Sequence, residues 1–175
     1  MVINGFSLLK AAPIKDMEST KVARHGVSFG LGEAGYDIRI KQNIVFLPNE
    51  PEGPLIRVAH SNGGPVSSGT YGEFFKGRFT LASAIEEFDM PTDLVGVVHD
   101  KSTWARQGLS VFNTVIEPGW KGFLTIELVF HGNKDVVIPA GTGIAQVIFT
   151  SLAHDASYEG KYQHQADMPV PSVFD

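Results

Sequence analysis

The sequence predicts an all-β fold, a sandwich or barrel carrying one short helix. Three observations lead there. Short apolar, β-branched segments recur along most of the 175-residue chain, with Gly, Pro or Asn signals between them at intervals of roughly 8–12 residues. They are not separated by the amphipathic helical patterns that βαβ units require. Only Lys101–Gln107 reads as a convincing helix, ended by Gly108 at a C-cap position.

In chain order, residues 3–25 are ambiguous. Phe6, Leu8 and Leu9 fit one apolar helical face, and Pro13 ends any such helix near Ala12. Residues 26–35 are Gly-rich without periodicity and read as a loop. Tyr36, Ile38 and Ile40 alternate with Asp37 and Arg39, which predicts a strand with an apolar and a polar face. Ile44–Leu47 reads as a buried strand closed by Pro48, residues 49–54 as a turn-rich connection, and residues 61–76 as a mobile Gly/Ser loop. Phe79–Leu81 and Ala84–Ile85 are strand pieces, and Leu94–Val98 is a strand opened by Pro91. Residues 111–116 and 122–131 form two further strands around the turn Pro118-Gly119-Trp120. Val136–Pro139 and Thr142–Thr150 complete the set across the Ala140-Gly141 turn. No repeat or internal boundary divides the chain, so residues 1–175 are expected to form one domain, with 153–175 a polar tail that either frays or orders over a ligand as a lid.

Bulk properties exclude several classes. A net charge of −5 argues against a nucleic-acid binder that works by bulk electrostatics, while leaving room for a small anion held by local cations. The absence of cysteine removes disulfides, thiolate metal sites and the zinc base deaminases, which need a Pro-Cys-x-x-Cys ligand pair. No run has the length of a membrane span, and the N-terminus lacks a signal-peptide pattern, so a cytosolic protein is expected.

The candidate chemistry is concentrated between His99 and Phe130. Lys101, Ser102, Thr103 and Arg106 put two cations and two hydroxyls at a helix start, and Ser102 and Arg106 share one helical face. This suits an anion such as a phosphate; a plain helix cap with a surface Arg is the alternative. On the strand 123–131, Leu124, Ile126, Leu128 and Phe130 form a core face, which leaves Thr125, Glu127 and Val129 on the other. Glu127 is then either an ordinary solvent-facing Glu or a carboxylate in a cleft, where desolvation raises its pKa and lets it shuttle protons. Glu117, at a strand end, can accept a hydrogen bond from a ligand hydroxyl or hold a water. The amide of Asn113, between the two strands, can both donate and accept hydrogen bonds. His99 and His131 lack a third ligand at metal spacing, and structural roles are expected for both.

Taken together, Lys101-Ser102-Thr103-x-Ala105-Arg106-x-Gly108-Leu109, Ile116-Glu117-Pro118-Gly119-Trp120-x-Gly122 and Glu127 resemble the dCTP deaminase branch of the dUTPase-like superfamily. Gly35-Tyr36-Asp37-Ile38-Arg39, Gly141-x-Gly143-Ile144-Ala145-Gln146-x-Ile148-Phe149 and Lys161-Tyr162-Gln163-x-Gln165 are similar to further motifs of that family. The resemblance implies a distorted β-barrel or jelly-roll of the dUTPase-like type, assembled as a homotrimer with interface active sites. It implies hydrolysis of dCTP to dUTP and ammonia without zinc, with Mg²⁺ carried on the triphosphate in a water-rich shell. Glu127 matches the family's proton-relaying Glu. Ser102 and Arg106 match residues that position water, Glu and phosphates. Lys101 and Thr103 fall in the phosphate-binding segment, Glu117 near the sugar 3′-hydroxyl, and Tyr158, Lys161 and Gln165 in a lid over the triphosphate. Two departures stand out. Glu117 replaces the usual Asp, and the link from Gly108 to Glu117 looks shorter than in the family, which bears on base recognition. Besides dCTP, dUTP or dTTP are possible ligands, and two other readings stay open: a dUTP pyrophosphatase, alone or as the second step of a bifunctional enzyme, and a non-catalytic trimer that binds nucleotide or a regulatory partner. An acidic residue at position 127 favours deamination.

Overall fold

The computed structural model describes residues 1–49 and 78–174, together with the backbone of two short strands at 56–57 and 73–75. The connection expected at 49–54 and most of the Gly/Ser loop expected at 61–76 lie outside the described residues. The elements in order are β1 (Val2–Ile3), α1 (Gly5–Ala11), β2 (Lys21–Arg24), β3 (Val27–Leu31), β4 (Tyr36–Arg39), β5 (Ile44–Phe46), β6 (Ile56–Arg57), β7 (Glu73–Phe75), β8 (Phe79–Asp89), β9 (Leu94–Asp100), α2 (Ser102–Ala105), β10 (Leu109–Val111), β11 (Val115–Ile116), β12 (Lys121–Phe130), β13 (Val136–Ile138) and β14 (Gly143–Ser151). Among the described residues they form three sheets: β11-β9-β14-β4-β3-β2 with β1 added on β14, then β10-β12-β8, and β13-β5-β7-β6. This is the all-β arrangement that strand spacing predicts, and its distorted jelly-roll type is the one that the resemblance implies. Neither described helix is long and apolar enough to cross a membrane.

The core follows the alternation. Tyr36, Ile38 and Ile40 are fully buried, as are Leu128 and, within 1%, Ile126 and Phe130. Phe130 stacks on Phe46 at 5.2 Å between ring centroids, tying the short sheet to the β13-β5-β7-β6 sheet. In α1 only Leu8 is buried. Phe6 stays 81% exposed, so the helical face expected from Phe6, Leu8 and Leu9 is narrower than its apolar pattern.

Three local departures have physical causes. Residues 27–31, expected as loop, form β3, because β2 and β4 both pair with it and bury Val27 and Phe29. The two strand pieces expected at 79–81 and 84–85 are one strand, β8, interrupted by a bulge. Between Phe123 and Thr125 of β12, the paired residue on β8 moves from Glu87 to Ser83. The extra length lets β8 reach β4, where Ile40 bridges Ala84. The strand expected at 111–116 is split in two. β10 pairs with β12 and β11 pairs with β9, so the chain changes sheets at Phe112–Thr114.

The bulge also sets a buried ion pair. Glu86 Oε2 accepts the Arg39 backbone N–H at 2.8 Å, and Glu86 Oε1 accepts Arg39 Nε at 2.8 Å. The Arg39 guanidinium lies 4.6 Å from the Phe29 ring centroid. Burial pushes the Glu86 carboxyl up, with the Arg39 contacts opposing. Replacing one member strands the other, so Arg39→Ala is expected to cost about 3–5 kcal/mol in urea unfolding at neutral pH. The loss should shrink in acid, where Glu86 takes up a proton and no longer needs a cation. An unchanged midpoint at neutral pH would show the pair to be dispensable.

Candidate active site

β12 presents Thr125 and Glu127, two residues apart, on the face away from the core. They open into a cavity of about 520 Å³ lined also by Glu117, Trp120, Tyr158 and Gln165. Glu127 is half-buried, and none of the ion pairs among the described residues includes it. Burial pushes its carboxyl above the usual range, and a hydrogen bond involving its own backbone opposes this only in part. Of the two readings open for Glu127, the cleft is the one the structure adopts. Glu117 sits at the end of β11, exposed, with its backbone oxygen accepting Trp120 N–H at 3.2 Å in the turn.

The tail closes the other side of this cavity. Residues 153–174 are irregular yet held by their own chain. Tyr158 N–H donates to Pro118 O at 2.8 Å, Trp120 Nε1 to Tyr162 O at 2.6 Å, and Phe123 N–H to Gln165 O at 3.2 Å. Gln163 is an anchor: its Oε1 accepts Lys121 N–H at 2.7 Å and its Nε2 donates to Gly119 O at 3.0 Å. Gln165 Oε1 faces Thr125 N and Oγ1, each at 3.4 Å. Val170 N–H donates to Thr125 Oγ1 at 3.0 Å, and Val170–Ser172 reach the cavity wall. A frayed tail is therefore not what the chain forms. The approach depends on Gly122, with φ 134°, where a Cβ would stand 2.5 Å from Gln165 N.

The helical segment lies elsewhere. α2 is shorter than the expected Lys101–Gln107: Arg106 is its C-cap, and Gly108, with φ 88°, closes the turn that follows, its N–H donating to Ala105 O at 3.0 Å. Ser102, Thr103 and Arg106 are exposed, and none lines the Glu127 cavity of this chain. Lys101 is engaged inward: its ammonium pairs with Asp37, which is 3% exposed and also meets Ser28 Oγ and Gln146 Nε2. Asn113 is exposed in the link, while its neighbours Thr114 and Val115 line the cavity. Lys161 is exposed, its ammonium 5.8 Å from the Tyr162 ring centroid. The structure thus gathers Glu127, Glu117, Tyr158 and Gln165, and leaves Ser102, Thr103, Arg106 and Asn113 outside. Sequence reasoning missed Thr125 and the buried Asp37. The signal for Asp37 was available as a charge in a strand that buries its neighbours. His131 Nε2 contacts Ser110 Oγ at 3.2 Å, and His99 sits opposite Gln146 in the β9–β14 ladder, both structural placements. No cluster of three or more His, Asp or Glu suited to a metal occurs among the described residues.

Comparison with known proteins fits this geometry. Residues 9–152 match the family model described as dCTP deaminase-like. The dCTP deaminase of Helicobacter pylori (strain P12) is 33% identical over 163 residues, covering 87% of this chain and 86% of that protein. The dCTP deaminase of Campylobacter jejuni (strain RM1221) is 34% identical, covering 84% and 82%. Among solved structures, the 2′-deoxycytidine 5′-triphosphate deaminase of Agrobacterium tumefaciens aligns with a TM-score of 0.53 at 16% identity, covering 87% of this chain and 48% of that one. The EIAV dUTPase aligns at 0.50 and 15% identity, covering 86% and 92%. These last two speak to the fold.

The tail's docking yields a test. Gly122→Ala is expected to keep the folded core and release residues 153–174, because the added Cβ meets the Gln165 backbone. Limited proteolysis should then cut the tail much faster than in the parent. Equal cutting rates would show that the tail is held without this approach.

Proposed function

Because the chain belongs to the dCTP deaminase-like family, we infer that it hydrolyses dCTP to dUTP and ammonia, a step in pyrimidine deoxynucleotide metabolism. The observation that carries this is Glu127: a half-buried carboxyl without a countercharge, at the wall of a cavity wide enough for a nucleoside. Water adds to C4 of the cytosine, N3 gains a proton, and the exocyclic amine gains another and leaves as ammonia. A carboxyl whose proton affinity is raised by burial can take the proton from water and give it to N3, then take the proton of the new C4 hydroxyl and give it to the departing amine. The substrate gains H₂O and loses NH₃, a net exchange of NH for O, so dCTP and water balance dUTP and ammonia without a redox partner.

Ser102 and Arg106 are assigned to positioning the water and the phosphates, with Thr103 beside them. They lie outside the Glu127 cavity of their own chain, so a complete site draws on a second copy. We propose a homotrimer with sites at its interfaces; half-exposed Phe79, Phe112 and Val115, near the cavity, support such a contact. Tyr158, Lys161 and Gln165 belong to the lid, residues 153–175 of a single catalytic domain, and Glu117 is placed toward the sugar. Asn113 is assigned to the base edge. With no three-carboxylate or histidine cluster among the described residues, Mg²⁺ fits as an ion carried on the triphosphate, where it neutralises phosphate charge. We place the enzyme in the cytoplasm, with its nucleotide substrate.

Glu117 supports one further reading. It shares the cavity with Glu127 and is exposed, so it can activate a water toward the α-phosphate of bound dUTP. Incubation with dCTP and Mg²⁺ decides between these: dUTP as the end product fits deamination alone, and dUMP with pyrophosphate fits both steps. Unchanged dCTP would overturn the functional reading.

Glu127→Gln is expected to abolish ammonia release, by roughly 10²-fold or more, with dCTP binding by calorimetry retained. The fold itself should gain. A carboxyl with a raised folded-state pKa binds its proton more tightly folded than unfolded, so stability falls as pH rises through that window. The variant should therefore melt higher than the parent at neutral pH and lose this advantage in acid. Full deaminase activity in it would remove Glu127 from the mechanism.

A further inference from the structure

The geometry points to Asp37 as a positioning residue that acts through Lys101, and to Lys101 as a latch on α2 in place of a phosphate ligand. The inference rests on the reading of Ser102 and Arg106 as site residues. Four observations support it.

First, the pair is enclosed. The side chains of Asp37 and Lys101 are 4% and 11% exposed, and their contact is direct. An ammonium held this way against a buried carboxylate is neutralised and is not offered to solvent anions. Second, Asp37 is fixed from three sides by different strands: Ser28 Oγ from β3 at 3.3 Å, Gln146 Nε2 from β14 at 3.2 Å, and Lys101 at the end of β9. These strands are neighbours in one sheet, so Asp37 is a rigid post. Third, Lys101 is the N-cap of α2, and its backbone oxygen accepts Trp104 N–H at 2.9 Å and Ala105 N–H at 3.0 Å. Holding the Lys101 side chain therefore sets where the first turn, with Ser102 and Thr103, begins. Fourth, the same turn is gripped on its inner side by Trp104 Nε1, which donates to Gly143 O at 2.8 Å, again on β14. A Cβ at Gly143 would lie 3.5 Å from Lys101 Cε, so the lysine stem runs against that backbone.

The consequence is a division of labour within Lys101–Arg106. The inward pair, Lys101 and Trp104, fastens the turn to the β4–β14 region. The outward residues, Ser102, Thr103 and Arg106, stay exposed and are left to meet substrate. Arg106 forms no ion pair among the described residues. It is the cation that this turn offers to a triphosphate. A misplacement of about 1 Å at such a site costs roughly 10²-fold in rate.

The test uses the full-length chain with Asp37→Asn, Lys101→Gln and the double variant. Hydrogen exchange of the peptide spanning residues 101–108 is measured without substrate, beside kcat and KM for dCTP. A latch predicts faster exchange in that peptide in both single variants, no further gain in the double variant, and unchanged exchange in β8 and β12. It also predicts a similar fall in kcat in all three, roughly 10²-fold, with Lys101→Arg restoring most of it. A phosphate ligand predicts the reverse. Lys101→Gln would raise KM alone, Asp37→Asn would leave it equal or lower because the ammonium is released, and exchange would not change. That result overturns the inference. If Asp37→Asn fails to fold, Lys101→Gln with its Arg rescue carries the same comparison. If the parent fails to deaminate dCTP, the functional reading falls while the exchange data still decide the latch.

Discussion

The antiparallel ladder between β8 and β12 is the constraint on which the site depends. It holds β12 extended, and extension forces alternate side chains to opposite faces. One face, from Leu124 to Phe130, is core. The other must then present Thr125 and Glu127 together. A carboxyl kept partly out of water pays a desolvation cost, and a flexible loop would relieve that cost by swinging it into solvent. A strand paired through both its neighbours and packed on its far side cannot do so. The raised pKa of Glu127 is thus a property of the ladder as much as of the residue.

The carboxyls of Glu86, Asp37 and Glu127 are accommodated in different ways. Glu86 lies against Arg39, and Asp37 against Lys101, each nearly excluded from solvent. Full burial of a lone charge costs several kcal/mol, a large part of the stability of a domain this size, so each has a cation beside it. Among the described residues Glu127 has none, and it is only half-buried, opening onto a cavity. The absence of a cation leaves its proton affinity high, and the cavity supplies somewhere for the proton to go. Pairing with a cation would have removed that raised proton affinity.

Much of this was legible in the sequence, and the limits are physical. The period of two on β12 identified both the core face and Glu127, because alternation is a local property. Gly108 marked the turn that leaves the α2 segment for the same reason, though the helix itself is already capped at Arg106. Long-range effects were not legible. β3 reads as a loop because Gly30 within it and Gly26 and Gly32 beside it dilute the pattern, and only pairing on both sides makes it a strand. β8 looked like two pieces because its bulge sits where it turns from β12 to β4. The partner of Lys101 is 64 residues away, so a helix-start lysine read naturally as a free cation. The change of sheet at Phe112–Thr114 was hidden because both halves carry strand-forming residues. What separates them is that Phe112 N–H still bonds to Glu127 O while Val98 N–H already bonds to Thr114 O.

The same edge of β12 explains why the tail docks where it does. β10 occupies that edge opposite Leu128–Phe130, and Phe112 N–H completes it at Glu127. From Gly122 to Thr125 the edge is taken over by Gln165, through a parallel bridge and its side-chain amide. Glu127 thus stands at the seam between two partners of one strand edge, and the cavity opens at that seam. Closing a lid over a substrate usually requires ordering a free segment, at about 1–2 kcal/mol per residue in backbone entropy alone. Here most of the segment is ordered against its own chain before substrate arrives. Beyond Gln165, Val170–Ser172 reach the cavity wall, while the contacts of Tyr162, Gln163 and Gln165 fix the rest of the tail to β12 and the turn before it.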